Sequence, residues 1–144
     1  MKDFLVVAHG ISRLGGIEEV SRQVICCLGQ HPELRISKLE VGFSILNRIR
    51  AALVLTLWLL RHKPVVIMHA AILERYVPGL VLRWTRSSIV VWAHGIEVWG
   101  EYGKRKTSKL QYATKAIAVS EFTRDQLKKN FPSLSVSVIN NTID

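Results

Sequence analysis

Phe4-Leu5-Val6-Val7-Ala8 runs apolar without interruption, and a loop carrying Gly15-Gly16 separates it from an amphipathic stretch, Ile17 to Leu28. A continuous apolar run of this length fits a strand buried on both faces. Val20, Val24 and Leu28 recur at helical spacing, and Glu18 and Glu19 stand in the first turn, where the helix dipole favours acids. Strand, glycine turn and helix in that order make the opening unit of an α/β domain, and the rest of the chain repeats it.

Arg35 to Val41 alternates apolar and polar residues, as an edge or half-buried strand does. Ser44 to Arg61 reads as a long helix, ended by Pro64, with Val65 to Met68 as a third strand. Leu73 to Thr85 is helical in composition but interrupted at Pro78-Gly79. Ser88 to Trp92 is a fourth strand, Lys104 to Thr114 a polar helix and Ala116 to Val119 a fifth strand. Ser120 has the chemistry of an N-cap for a helix over Glu121 to Asn130, and Ser135 to Ile139 forms a sixth strand. Alternating strands and helices predict a doubly wound, Rossmann-like α/β domain: a mostly parallel sheet with helices on both faces. A chain of 144 residues suffices for one such domain, spanning 1–144.

Composition excludes several classes. Apolar residues at 49% and charged residues at 22% describe a globular chain. Two adjacent cysteines, Cys26 and Cys27, give neither a disulfide framework nor a metal spacing, and are expected to be buried fillers. The apolar run after Met1-Lys2-Asp3 is too short for a signal peptide, and Ala51 to Leu60 is too short to span a bilayer. The expected location is cytoplasmic. The net charge of +9 is concentrated in the middle, where residues 44–86 hold seven basic residues and one acidic. Such an excess favours nucleic acid, anionic lipid or phosphorylated small molecules as partners.

Ligands of open α/β sheets bind beyond the carboxyl ends of the strands. His9, His69 and His94 each follow a strand there. If the first and fourth strands flank the switch point, His9 and His94 share one crevice. A zinc site from the three would need adjacent strands, and no metal is expected. The loop Trp92-Ala93-His94-Gly95-Ile96-Glu97-Val98-Trp99-Gly100-Glu101-Tyr102 gathers aromatics, an imidazole and carboxylates without helical periodicity, a combination suited to a sugar. The fingerprints GxGxxG, GxxxxGK[ST] and GxSxG are absent, which leaves dinucleotide oxidoreduction, P-loop hydrolysis and serine hydrolysis unsupported.

Four segments resemble the N-terminal domain of family-4 glycosyltransferases, the retaining enzymes of the GT-B fold. They are Gly15-Gly16-Ile17-Glu18, Ala93-His94-Gly95-Ile96-Glu97-Val98-Trp99, Ala118-Val119-Ser120-Glu121-Phe122-Thr123-Arg124, and Val138-Ile139-Asn140-Asn141-Thr142-Ile143-Asp144. In the last, Thr142 stands where the family usually has glycine. The resemblance implies transfer of a hexose from a nucleotide-diphosphate sugar to a glycan or lipid-linked acceptor, in cell-surface polysaccharide synthesis. It implies that Gly15 and Gly16 offer backbone amides to the diphosphate and that His94 sits beside the transferred sugar. His9, Glu97, Trp99, Ser120 and Arg124 would face the substrates. The family's C-terminal nucleotide domain lies beyond Asp144, so 1–144 alone is expected to be inactive and to bind nucleotide sugars weakly.

The helix from Ser44 to Arg61 carries Ile45, Leu46, Ile49, Leu53, Leu57 and Leu60 in one stripe with Arg48, Arg50 and Arg61. Such a helix can cover the sheet or lie on an anionic membrane, making the enzyme peripheral at the inner face. The competing class is a non-catalytic basic α/β module for nucleic acid or another anion. Charge supports it, but no nucleic-acid motif does, so nucleic acid is not the expected partner.

Overall fold

A computed structural model describes residues 2–10 and 15–140. Six strands form one all-parallel sheet: β1 (Lys2–His9), β2 (Leu34–Val41), β3 (Val65–Ile67), β4 (Ile89–Ala93), β5 (Lys115–Ala118) and β6 (Ser135–Val138). Their spatial order is β2-β1-β3-β4-β5-β6. The helices are α1 (Gly16–Gly29), α2 (Ile45–Leu60), α3 (Ala70–Tyr76), α4 (Gly79–Trp84), α5 (Gly100–Lys106) and α6 (Glu121–Asn130). The fold is α/β and Rossmann-like. No helix among the described residues is long and apolar enough to cross a membrane.

Side chains alternate across the sheet, as the pleat requires. Leu5 and Val7 of β1, Val65 and Ile67 of β3 and Ile89, Val91 and Ala93 of β4 enter one core with α2, α3, α4 and α6. Val6, Ala8, Val66 and Trp92 face the other way, against Val20 and Ile25 of α1. Right-handed crossovers explain the imbalance. The chain steps one way from β1 to β2, placing α1 on the first face. It then steps back past β1 to β3 and continues onward, so the later helices fall on the opposite face.

The strand order corrects one expectation. β3 lies between β1 and β4, so the direction of winding reverses between β1 and β3. The alternating strand Arg35 to Val41 is indeed at the sheet edge. Pro78 separates α3 from α4, since its ring cannot continue α3 and instead caps α4.

The helix expected over Lys104 to Thr114 is two pieces. α5 begins earlier, at Gly100, and Thr107 divides it from a 3-10 turn over Ser108–Tyr112. Buried Thr107 donates its hydroxyl to the Gly103 carbonyl at 2.7 Å, taking up an acceptor at the helix end. The loop expected after β4 is also partly helical, with a 3-10 turn at Ile96–Val98. A Cβ at Gly103 would overlap the Val98 backbone, so α5 can close on that turn only with glycine there. Cys26 and Cys27 are exposed on α1, not buried, because that helix turns Val20, Ser21 and Ile25 inward.

Helix α2 separates packing from exposure within one element. Leu55 is 1% exposed and Leu53 is 59% exposed, two positions apart. Leu55→Ala is expected to lower unfolding free energy by about 2–5 kcal/mol in urea titrations. Leu53→Ala should stay within about 0.5 kcal/mol of the parent.

Candidate functional site at the carboxyl edge of the sheet

Adjacent strands β1, β3 and β4 end in a row of imidazoles. The His9 and His69 rings meet edge to face at 6.2 Å between centroids, and His69 and His94 stack at 5.8 Å with planes 20° apart. His69 therefore stands between the two histidines expected to share a crevice. Tyr76 of α3 closes the outer side of His9, at 6.4 Å. Among the described residues, no group of three His, Cys, Asp or Glu is placed to hold a metal ion.

Each ring has a fixed hydrogen-bonding role. His69 is the N-cap of α3, and its Nδ1 accepts from the Ala71 amide at 3.2 Å. An accepting Nδ1 leaves the proton of the neutral ring on Nε2. His94 reaches the same tautomer through its other nitrogen: Nε2 donates to the Met68 carbonyl at 2.8 Å, leaving Nδ1 as the acceptor of the neutral ring. His9 donates weakly from Nδ1 to the Val41 carbonyl, 3.4 Å away. Burial lowers the pKa of both His9 and His69 from the usual 6.5. The Val41 carbonyl partly opposes the shift at His9, while Arg75 and Arg48 add to it. At His69 the Glu97 carboxylate opposes the shift, and His94 and His9 add to it.

Glu97 ties the loop after β4 to this row. Its Oε1 accepts from the His94 backbone amide at 2.6 Å. Gly95 turns between them at φ 140°, a conformation L side chains rarely adopt, and a Cβ there would press on the Trp99 ring at 3.1 Å. Glu97 also lines a cavity of about 440 Å³ with Glu74 and Arg75 of α3 and Tyr102, Lys106 and Thr107 around α5. Carboxylates and cations lie together on its wall. One of them is already committed, since Glu74 accepts from the Lys109 amide at 2.9 Å.

The structure brings His9, His94 and Glu97 together and spreads the other expected residues around them. Trp99 packs edge to face on Phe122 at 5.0 Å and points its indole N–H at the Thr123 hydroxyl, 3.4 Å away, so it pins the loop to α6. Ser120 caps α6, accepting from the Thr123 amide at 3.1 Å. Arg124 is held by Asp125 and Glu121 of its own helix, which raise its pKa. Gly15 and Gly16 open α1 across the winding reversal. Glu18, in the first turn of that helix, acts electrostatically on His9, which ties the helix start to the histidine row. Ile11 to Leu14 lie outside the described residues.

Sequence reasoning missed Arg75 and Lys106 as neighbours of the site, while Tyr102 ends the loop it singled out. Arg75 sits six positions after His69, and only the short α3 carries it back over the strand ends. No family model matches this chain, and no curated protein matches it.

Because the folded chain resists protonation at His9 and His69, the unfolded chain binds more protons just below pH 6.5. Stability must therefore fall as pH drops from about 7 toward about 5. Asp3, whose pKa is lowered by its hydrogen bond and ion pair with Lys63, contributes only at lower pH, below its usual 3.8. His69→Asn keeps an N-cap acceptor and removes a titrating ring. Urea midpoints measured across that range should depend less on pH in this variant than in the parent.

Proposed function

We propose that this domain is the acceptor-side half of a retaining glycosyltransferase that moves a hexose from a nucleotide-diphosphate sugar to a glycan or lipid-linked acceptor. The observation that carries the reading is the row His9, His69, His94 at a winding reversal, anchored through Glu97 and facing the glycine-rich start of α1. Open α/β sheets bind their ligands at such reversals. Three of the four sequence segments resembling family-4 enzymes fall on this edge or on the elements that hold it, and the fourth, from Val138, runs past the described residues after Asn140.

His94 is assigned to the transferred sugar. Its Nε2 is occupied by Met68, so Nδ1 is the nitrogen that accepts from a sugar hydroxyl. Gly15 and Gly16 offer amides to the diphosphate, with the positive end of the α1 dipole behind them. Arg75, beside His9, adds positive charge where a departing diphosphate would need it. Glu97 fixes the His94 backbone and faces the acceptor, and His9 lines the same edge. Trp99, Ser120 and Arg124 hold the loop and the start of α6 and border the acceptor. A second domain supplies most nucleotide contacts, and no metal is required. The protein works in the cytoplasm, on cell-surface glycan or glycolipid precursors. The nucleic-acid reading has the charge of residues 44–86 in its favour, but that charge lies beside exposed leucines with a single exposed aromatic, Trp84, rather than a series of stacking rings.

The test is transfer of radiolabelled sugar from a panel of nucleotide sugars. It is measured on residues 1–144 and on the product of the gene with whatever coding sequence follows Asp144. The reading expects no transfer by 1–144 alone. It expects transfer by a longer chain carrying a second domain, reduced by about 10²–10³ in kcat for His94→Ala, the scale of losing one positioned hydrogen bond to the reacting group. Transfer unaffected by His94→Ala would remove this residue from the site, and micromolar donor binding by 1–144 would contradict the division of labour.

A further inference from the structure

Helix α2 is apolar nearly all round in its second half, and its two faces meet different surroundings. Ala51, Leu55 and Leu59 pack into the core. Ile45, Leu46, Ile49, Leu53, Leu57 and Leu60 stay largely in solvent, with Leu46 at 80%. At about 100° per residue these six fall on one side of the helix, away from the buried three. The surface continues onto α4, where Leu80 and Trp84 are exposed and form with Leu60 and Val81 a cleft of about 200 Å³. Trp84 is 74% exposed. A contiguous apolar area of this extent on a protein surface marks a contact site.

Its charge selects the partner. Arg50 and Arg61 border the stripe, and Arg83 and Arg86 stand on and just after α4, while Arg48 leaves the first turn on the side of the buried three, toward His9. Residues 44–86 contain a single acid, Glu74, and it is bound to the Lys109 amide. Lys63 is paired with Asp3 at 2.7 Å. A two-fold dimer through this face would set arginines against their own copies with no carboxylate between them. An anionic lipid surface meets both requirements, since it accepts apolar side chains at the headgroup boundary and phosphates attract the cations. Exposed tryptophan is favoured at the same depth.

We propose that the face made by α2 and α4 seats on an anionic lipid bilayer. Leu46, Leu53 and Trp84 enter the boundary between headgroups and acyl chains, and Arg50, Arg61 and Arg83 engage the phosphates. α2 starts at the carboxyl edge of the sheet, directly after β2, and Arg48 in its first turn lies close enough to His9 to act on it electrostatically. Docking therefore brings the histidine row to the level of the headgroups. This inference rests on the surface alone and stands or falls apart from the transfer reaction.

Co-sedimentation with vesicles of phosphatidylcholine plus phosphatidylglycerol, against vesicles of phosphatidylcholine alone, tests it. The protein should pellet with the anionic vesicles at low salt and be released as salt rises. Arg50→Gln with Arg61→Gln should weaken partitioning by roughly fivefold per cation. Leu46→Ser with Leu53→Ser should weaken it by roughly tenfold or more. All four positions are exposed, so circular dichroism and the urea midpoint should match the parent. Protein left in the supernatant with anionic vesicles at low salt overturns the proposal. Retention indifferent to the leucine pair overturns it too, since charge alone would then explain binding. So does a concentration-dependent dimer in sedimentation velocity that Leu53→Glu dissolves, which would make the face an interface between copies.

Discussion

Parallel strands can be joined only by crossovers, and those crossovers are right-handed. In this chain the rule has one decisive consequence. The step from β1 to β2 and the step from β2 to β3 run in opposite directions, so α1 and α2 must lie on opposite faces of the sheet. Helix α1, which follows β1, and helix α3, which follows β3, therefore leave the sheet on opposite faces, the arrangement that opens a crevice at the strand ends. Everything that resembles a site gathers around that parting, and the helices elsewhere serve mainly to cover apolar strands.

What fills the crevice follows from burial. Three imidazoles in a row at 5.8 Å and 6.2 Å could not all be charged without mutual repulsion in a partly dry place. The Ala71 amide makes His69 an acceptor at Nδ1, and the Met68 carbonyl makes His94 a donor at Nε2. Two backbone groups thereby set the tautomers of two neighbouring neutral rings. The arrangement favours hydrogen bonds to uncharged hydroxyls over binding of anions by the rings themselves. Positive charge enters from the rim instead, through Arg48 and Arg75. A substrate with both hydroxyls and phosphates, which is what a nucleotide sugar is, suits that division.

Much of this was legible in the residues. Short apolar runs and helical spacing place all six strands and most helices within a residue or two, because burial on both faces leaves a plain signal. Ser120 declared itself as a cap and Pro78 as a break, each through local chemistry. Legibility failed where a distant contact decided the outcome. Helix α5 starts at Gly100 because Val98 and Gly103 touch, and it stops at Thr107 because a buried hydroxyl needs a carbonyl. The order of strands was also hidden, since periodicity says nothing about neighbours, and with it the place of His69 between His9 and His94. Trp99 and Arg124 carry the chemistry of a binding site, yet the structure engages both with α6.

The most direct measurement is a histidine-selective proton–nitrogen correlation spectrum recorded with and without millimolar nucleotide-diphosphate sugar, the range that weak binding by residues 1–144 requires. The account predicts that the neutral rings of His69 and His94 both carry the proton on Nε2. Added sugar nucleotide should shift His94 Nδ1 while His31 and His62 stay where they are. Rings that show the opposite tautomers, or a His94 that ignores every nucleotide sugar while the surface histidines move, would contradict it.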